Sequence, residues 1–281
     1  MTKKSLVEIA CEIATVSAAD AQKIAYIPKF MASTSLPTRK LEETEFIRRN
    51  GKYDLIILSP TKIGLPYGTY PRLIIIWLTT QSVITQRQEI MIGTSLADFM
   101  RKINKRSTGG KNGSLTALKA QIKRLFSASI MFIINENNEF RIDRAHITDH
   151  SSIFWKTDNN IDENSIIKLS SVFYNEIQRS AIPVDMRVID AFSNYPLAID
   201  IYCWLTYRYF ILTINKVSCA QISWKQLMKQ FGNSVKHKRH FIQKFKKAIS
   251  QVYLLYPAAT YVITQKSIIL YRSPPHVPQQ S

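Results

Sequence analysis

Two windows of this sequence carry cations and no carboxylates, and the chemistry such a pattern suits is the binding of phosphate. From Phe99 to Asn135 there are eight basic residues, among them Lys111, Lys119, Lys123 and Arg124, and no Asp or Glu. From Ile201 to Ser281 acid is absent again, while Lys236, Lys238, Arg239, Lys244 and Lys247 crowd one short stretch. The segment Glu136–Glu176 between the windows is acidic. A solvated surface normally mixes both signs. A surface that faces a polyanion does not. With 38 Lys and Arg against 20 Asp and Glu, the net charge of +18 attracts DNA, RNA or an anionic membrane face.

Residues that could do covalent or metal chemistry are scattered. His146 and His150 stand four apart beside Asp143 and Asp149, yet a metal site there would need further ligands, and a helix where the sequence reads as loop. No His-x-His occurs, as a rolling-circle nickase would use. Lys236-His237-Lys238-Arg239-His240 has the wrong order for the arginine–histidine–arginine set of a tyrosine recombinase. Gly109-Gly110-Lys111-Asn112-Gly113 is not the G-x-x-x-x-G-K-[ST] cradle for a nucleotide. Asp158, Asn160 and Asp162 alternate as in a calcium loop, without its glycine or its glutamate. Cys11, Cys203 and Cys219 build no disulfide framework and suit a reducing cytoplasm. The expectation is a binding protein with no catalytic residue, metal or cofactor.

The elements that must position the cations follow from periodicity and caps. Arg72–Thr85 reads as a buried helix with Pro71 in its first turn, and Glu89–Gly93 as a short strand. Ser95 caps a helix whose Leu96, Phe99, Met100 and Ile103 share one face. After the turn Thr108–Gly113, Ser114 caps a helix to about Ala128, with Leu115, Leu118, Ile122 and Leu125 as its apolar stripe. Its polar face offers Lys111, Asn112, Thr116, Lys119 and Lys123, with Arg124 beside them; Gln121 points either to solvent or to a base. Ile130–Ile134 and Glu139–Ile142 form a hairpin.

The second half repeats this order. A helix opens at Pro183 over Val184–Phe192, and Pro196–Leu212 is an apolar helix. Ser223 caps Trp224–Phe231. Val235–Leu255 is a long basic helix that buries Phe241, Phe245, Ile249 and Val252, and Tyr253 is assigned to the core with them. Lys236, His237, Lys238, Arg239, His240, Lys244 and Lys247 face outward. Thr260–Thr264 and Ser267–Tyr271 close the half as a hairpin. Trp77-Leu78-Thr79 recurs as Trp204-Leu205-Thr206 at an offset of 127, and Ser95 and Met100 recur as Ser223 and Met228 at an offset of 128.

Helix, strand, helix, turn, helix, hairpin is the winged-helix order, whose second motif helix enters the major groove. The fold class expected is α+β, two tandem winged-helix domains with an N-terminal helical arm. The map is an arm over 1–35, a first domain over 36–157, an acidic linker over 158–164, a second domain over 165–277 and a tail over 278–281. Ser5–Ala25 reads as an amphipathic helix or partly ordered arm. Glu8 and Glu12 argue against a signal peptide. No stretch reaches the 18–20 uncharged apolar residues a spanning helix needs.

Several blocks resemble plasmid RepA-type replication initiators: Leu65-Pro66-Tyr67-Gly68-Thr69-Tyr70-Pro71-Arg72-Leu73 with Trp77-Leu78-Thr79-Thr80, Ser95–Lys102, and Gln121–Phe126. So do Pro196–Arg208, Ile222–Leu227, Gln230-Phe231-Gly232 and Ser273-Pro274-Pro275-His276-Val277. The resemblance runs from about Leu36 to Val277. It implies a bacterial, cytoplasmic initiator that binds repeated sites, iterons, in double-stranded DNA at a plasmid origin. It also implies that the chain helps origin opening, meets the host initiator and replicative helicase, forms homodimers and takes part in copy-number control. The alternative on the residues alone is a winged-helix transcriptional repressor or autoregulator.

Overall fold

The computed structural model describes residues 4–51, 53–136, 139–152, 165–232 and 237–278. Helix α1 (Leu6–Thr15) starts at a reciprocal cap: the Ser5 hydroxyl accepts from the Glu8 N–H, and the Glu8 carboxylate accepts from the Ser5 N–H. The chain then forms β1 (Ile24–Ile27) and a short helix α2 (Lys29–Ser33) with Met31, Ala32 and Ser33 buried. The N-terminal arm expected over 1–35 thus adds a strand and a short helix to its helix, and the strand pairs with residues 182–185. A hairpin follows, β2 (Glu45–Asn50) and β3 (Tyr53–Leu58), which turns at Gly51 with φ 62°.

The buried helix α3 (Thr69–Thr85) leads to β4 (Glu89–Gly93) and to α4 (Leu96–Lys102), whose N-cap Ser95 accepts from the Asp98 N–H. Helix α5 (Ser114–Phe126) and the strands β5 (Ser129–Glu136) and β6 (Glu139–Ala145) complete that order. Next come β7 (Thr148–Ser152), β8 (Ser165–Leu169) and α6 (Ser171–Ser180).

The second half opens with β9 (Ile182–Asp185) and α7 (Met186–Ala191). A helix from Val184 was expected; the chain stays extended to Asp185, which then caps α7 by accepting from the Arg187 N–H. Helix α8 (Pro196–Ile214) precedes β10 (Cys219–Ser223), α9 (Trp224–Phe231), α10 (Lys238–Leu255), β11 (Tyr261–Ile263) and β12 (Ser267–Tyr271). Helix α8 is long and apolar enough to span a membrane by length and composition, yet it carries Asp200 and Arg208, and 61% of that window is buried inside the protein, as in a core helix.

Apart from the hairpin β2–β3, inserted between α2 and α3, both halves thus share one order: strand, short helix, long apolar helix, strand, helix, basic helix, hairpin. The architecture is a mixture of helices and small sheets, and all strand pairs among the described residues are antiparallel. The sheets run β2-β3-β5-β6, β4-β8-β7, β10-β12-β11 and β1-β9.

The residues expected as a linker, 158–164, lie outside the described residues. Their flanks are not in separate sheets, because β8 pairs with β7 on one side and with β4 on the other. Strand β1 likewise pairs with β9 across most of the chain length. One apolar core therefore runs through both halves, from Ile27 and Leu55 to Phe245 and Leu270.

Candidate nucleic-acid interface

Helix α5 is held at its N-terminus by a knotted turn. The Ser114 hydroxyl accepts from the Thr108 N–H at 2.8 Å and donates to the Arg106 carbonyl at 2.9 Å. The N-cap is Gly113 with no side-chain cap, so Ser114 fixes the turn instead of capping the helix as the sequence suggested. A Cβ on Gly113 would sit 2.2 Å from the Gly109 carbonyl oxygen, so this position tolerates only glycine. Thr116 donates its hydroxyl to the Gly110 carbonyl at 2.9 Å. These bonds leave Lys111 and Asn112 exposed at the tip of the turn, just ahead of the helix.

Leu118, Ile122 and Leu125 bury the inner face of α5, and Leu115 is half-buried. Lys119 and Lys123, one helical turn apart, are exposed on the outer face. Gln121 is buried and its side-chain oxygen accepts from the Tyr67 N–H at 2.9 Å, which takes it away from any base. Arg124 also turns inward. Its guanidinium donates to the Leu65 carbonyl at 3.2 Å and lies over the Tyr67 ring at 5.4 Å. Of the seven candidates here, Lys111, Asn112, Lys119 and Lys123 present outward groups, while Ser114, Thr116 and Arg124 shape the loops around them.

The described part of α10 begins at its N-cap His237, again without a side-chain cap; Lys236 lies outside the described residues. His237, Lys238, Arg239, His240, Lys244 and Lys247 are all exposed, and His240, Lys244 and Lys247 follow one face at helical spacing. The rings of His237 and His240 meet edge to face at 5.6 Å. On the inner face Phe241 and Phe245 join Trp204, Trp224 and Phe231 in one aromatic cluster. Tyr253, expected in the core, is 43% exposed and instead meets Tyr261 edge to face.

Both basic helices lack an acidic residue in the first turn. Their N-termini carry partial positive charge that no carboxylate of the first turn offsets, although at α5 the Ser114 N–H donates to the Thr108 hydroxyl at 2.9 Å. Cations stacked there are unfavourable for the isolated helix and become favourable once a phosphate sits opposite.

Two cations the sequence reading did not single out also contribute. Lys105 donates to the Ser193 carbonyl at 2.6 Å and to the Asn194 side chain, and so pins the turn before α5 to the second half. Lys246 lies over the Trp224 ring at 5.9 Å. Only the fold reveals such roles, since both residues look like any other lysine of a basic run. Of the two paired histidines, His146 hydrogen-bonds the Ala128 carbonyl at 3.2 Å. Among the described residues, no cluster of three or more His, Cys, Asp or Glu could hold a metal ion.

The chain is similar to a crystal structure of domains 2 and 3 of RctB, determined as a selenomethionine derivative, with a TM-score of 0.52 at 10% identity, over 87% of this chain and 97% of that one. A second crystal structure of RctB domains 2-3 superposes with a TM-score of 0.48 at 11% identity, over 86% of this chain and 96% of that one. No curated protein matches the chain in sequence. A family model for plasmid-encoded RepA protein matches residues 65–226, more than half of the chain. The chain belongs to that family of plasmid replication proteins, which places it in the class of replication initiators.

Proposed function

We propose that this chain initiates replication by binding repeated double-stranded sites at a plasmid origin, through two winged-helix modules whose reading helices are α5 and α10. The observation that carries this is the pairing of two acid-free basic helices. Each buries an apolar face in its own half, each is followed by a hairpin, and each presents lysines outward. Lys111, Asn112, Lys119 and Lys123 serve the first module. His237, Lys238, Arg239, His240, Lys244 and Lys247 serve the second. Phosphate contacts supply affinity and register, and a few base contacts supply the sequence. The role is one of binding without catalysis, in the cytoplasm where the plasmid is copied. Family membership supports the origin as the target and leaves contacts with host initiator, helicase and a second copy as extensions of the same reading.

The test is a footprint of the purified chain on origin DNA from its own plasmid. Protection of several repeated sites, lost steeply with added salt, is the expected result. Protection confined to one operator upstream of the gene would instead favour the autorepressor. Binding with no preferred site would overturn both.

A further inference from the structure

The sheet β2-β3-β5-β6 ends at β2, a six-residue strand with no strand on its outer side among the described residues. The Ser59 N–H donates to the Thr44 carbonyl, and the register runs on from Glu45 opposite Leu58 to Asn50 opposite Tyr53. In an antiparallel ladder only alternate residues bond to a given neighbour. Phe46, Arg48 and Asn50 therefore turn their backbone groups to β3, while Glu45, Ile47 and Arg49 turn theirs to the open edge. All three of the latter are exposed. Bulges and prolines commonly blunt such an edge against pairing with another chain, and β2 has neither. Its other face is occupied: Phe46 is buried, and the Arg48 guanidinium lies over the Phe46 ring at 4.5 Å and donates to the Lys229 carbonyl of α9 at 3.4 Å.

A strand that adds to this edge must complement an acid, an apolar residue and a base in that order. Read in the opposite direction, β2 is its own complement. About a two-fold axis at Ile47, Glu45 faces the partner's Arg49, Ile47 faces the partner's Ile47, and Arg49 faces the partner's Glu45. The backbone agrees with the side chains, because this register brings together only residues that turn their N–H and C=O groups outward, and each such pair exchanges two hydrogen bonds. Opposite charges directly across a strand pair are stabilising. Two other open edges lack the pattern: β4 is bulged between Met91 and Gly93 and carries no cation, and β10 carries no charge. Long-range electrostatics point the same way. A net charge of +18 makes two copies repel, so contact is favoured where the charge is balanced, and the exposed face of β2 offers one carboxylate and one guanidinium.

We propose that the edge of β2 is the contact for a second copy of this chain, paired antiparallel about Ile47 so that one sheet continues from copy to copy. The contact is isologous, so each interaction occurs twice. It draws on none of the cations assigned to DNA, and it stands or falls separately from the DNA-reading role.

The test is a charge swap in the full chain, read by sedimentation and by native mass spectrometry. The wild-type chain is expected to dimerise reversibly. Glu45→Arg and Arg49→Glu alter exposed side chains, and denaturant midpoints check that each variant folds. Either change alone sets like charges against each other at both ends of the strand pair and weakens the dimer by about tenfold or more. Mixing the two variants brings unlike charges together again, and a heterodimer of wild-type strength is expected. Ile47→Lys, also at an exposed position, sets two cations face to face on the axis and abolishes the dimer. A wild-type chain that stays monomeric at its highest soluble concentration overturns the proposal. A dimer that all three variants keep also overturns it, by placing the contact elsewhere. Loss in the single variants without recovery on mixing overturns the register about Ile47.

Discussion

The two halves share an order of elements and differ in how they close their sheets. In the second half, β10 pairs straight onto the closing hairpin, giving β10-β12-β11. In the first, the corresponding strand β4 pairs with β8, and the closing hairpin β5–β6 leans on the extra hairpin β2–β3. The second half is thus closed by local pairing. The first depends on strands far away in sequence, β8 among them. The reading helices differ in the same sense: α5 has 13 residues and several of its polar groups are spent on the turn before it, while α10 has 18 residues with its cations turned outward. One helix is positioned tightly with few charges, the other presents many charges on a simpler support.

The largest effect comes from breaking what joins them. Asp200→Ala leaves the Arg72 guanidinium buried without its carboxylate, which should cost about 3–5 kcal/mol. Because the core is continuous, denaturant unfolding of this variant should remain a single transition at a lower midpoint. Two separated transitions would show that the halves stand independently, and the contrast between braced and local closure would lose its meaning.

A smaller effect separates the two helices. Arg239→Ala should relax preference over a few adjacent base pairs by about 1–3 kcal/mol, and an unchanged site preference would place Arg239 on phosphate. Lys244→Ala should weaken all sequences alike and lower the salt slope by about one unit. Replacing the inward-facing Arg124 by Met should leave that slope unchanged and lower stability instead, through the lost bond to Leu65. A slope that falls with Arg124→Met would move this residue back to the interface.

Much of this contrast could be read from sequence, and the part that could not has a physical cause. The caps at Ser95 and Ser223 and the apolar stripes of α5 and α10 depend on neighbours within one or two turns, and local patterns report them. The inward turn of Gln121 and Arg124 is not legible in sequence, because a polar residue beside an apolar stripe points either way until a partner is known. Their partners, Tyr67 and Leu65, come from a loop more than 50 residues earlier. The pairings of β1 with β9 and β4 with β8 leave no periodic trace. The buried Arg72 looked like one more cation in a basic protein.

The smallest effect lies at the seam and is hidden by cancellation. Burial pushes the Asp190 carboxyl of α7 up from 3.8 to about 6, with Asn104 and Lys23 pulling the other way. The folded chain therefore holds that proton more tightly than the unfolded chain does. The resulting stability is complete below about pH 4 and is lost as pH rises through 6. Burial acts in the opposite sense on His276, which hydrogen-bonds Tyr202 at 2.8 Å, stacks on Tyr256, and is pulled down from 6.5 to about 4. Its contribution is present above pH 6.5 and is lost as pH falls toward 4. The two slopes span nearly the same window with opposite signs, so the contributions of these two groups to native stability largely cancel between pH 4 and 6.5. Asp190→Asn should expose the His276 slope, with stability rising with pH. His276→Gln should expose the Asp190 slope, with stability falling. Denaturant midpoints across that window would measure both. Parallel profiles for the two variants would mean that neither group is as enclosed as its surroundings indicate, and that the seam near Asn104 is open to water.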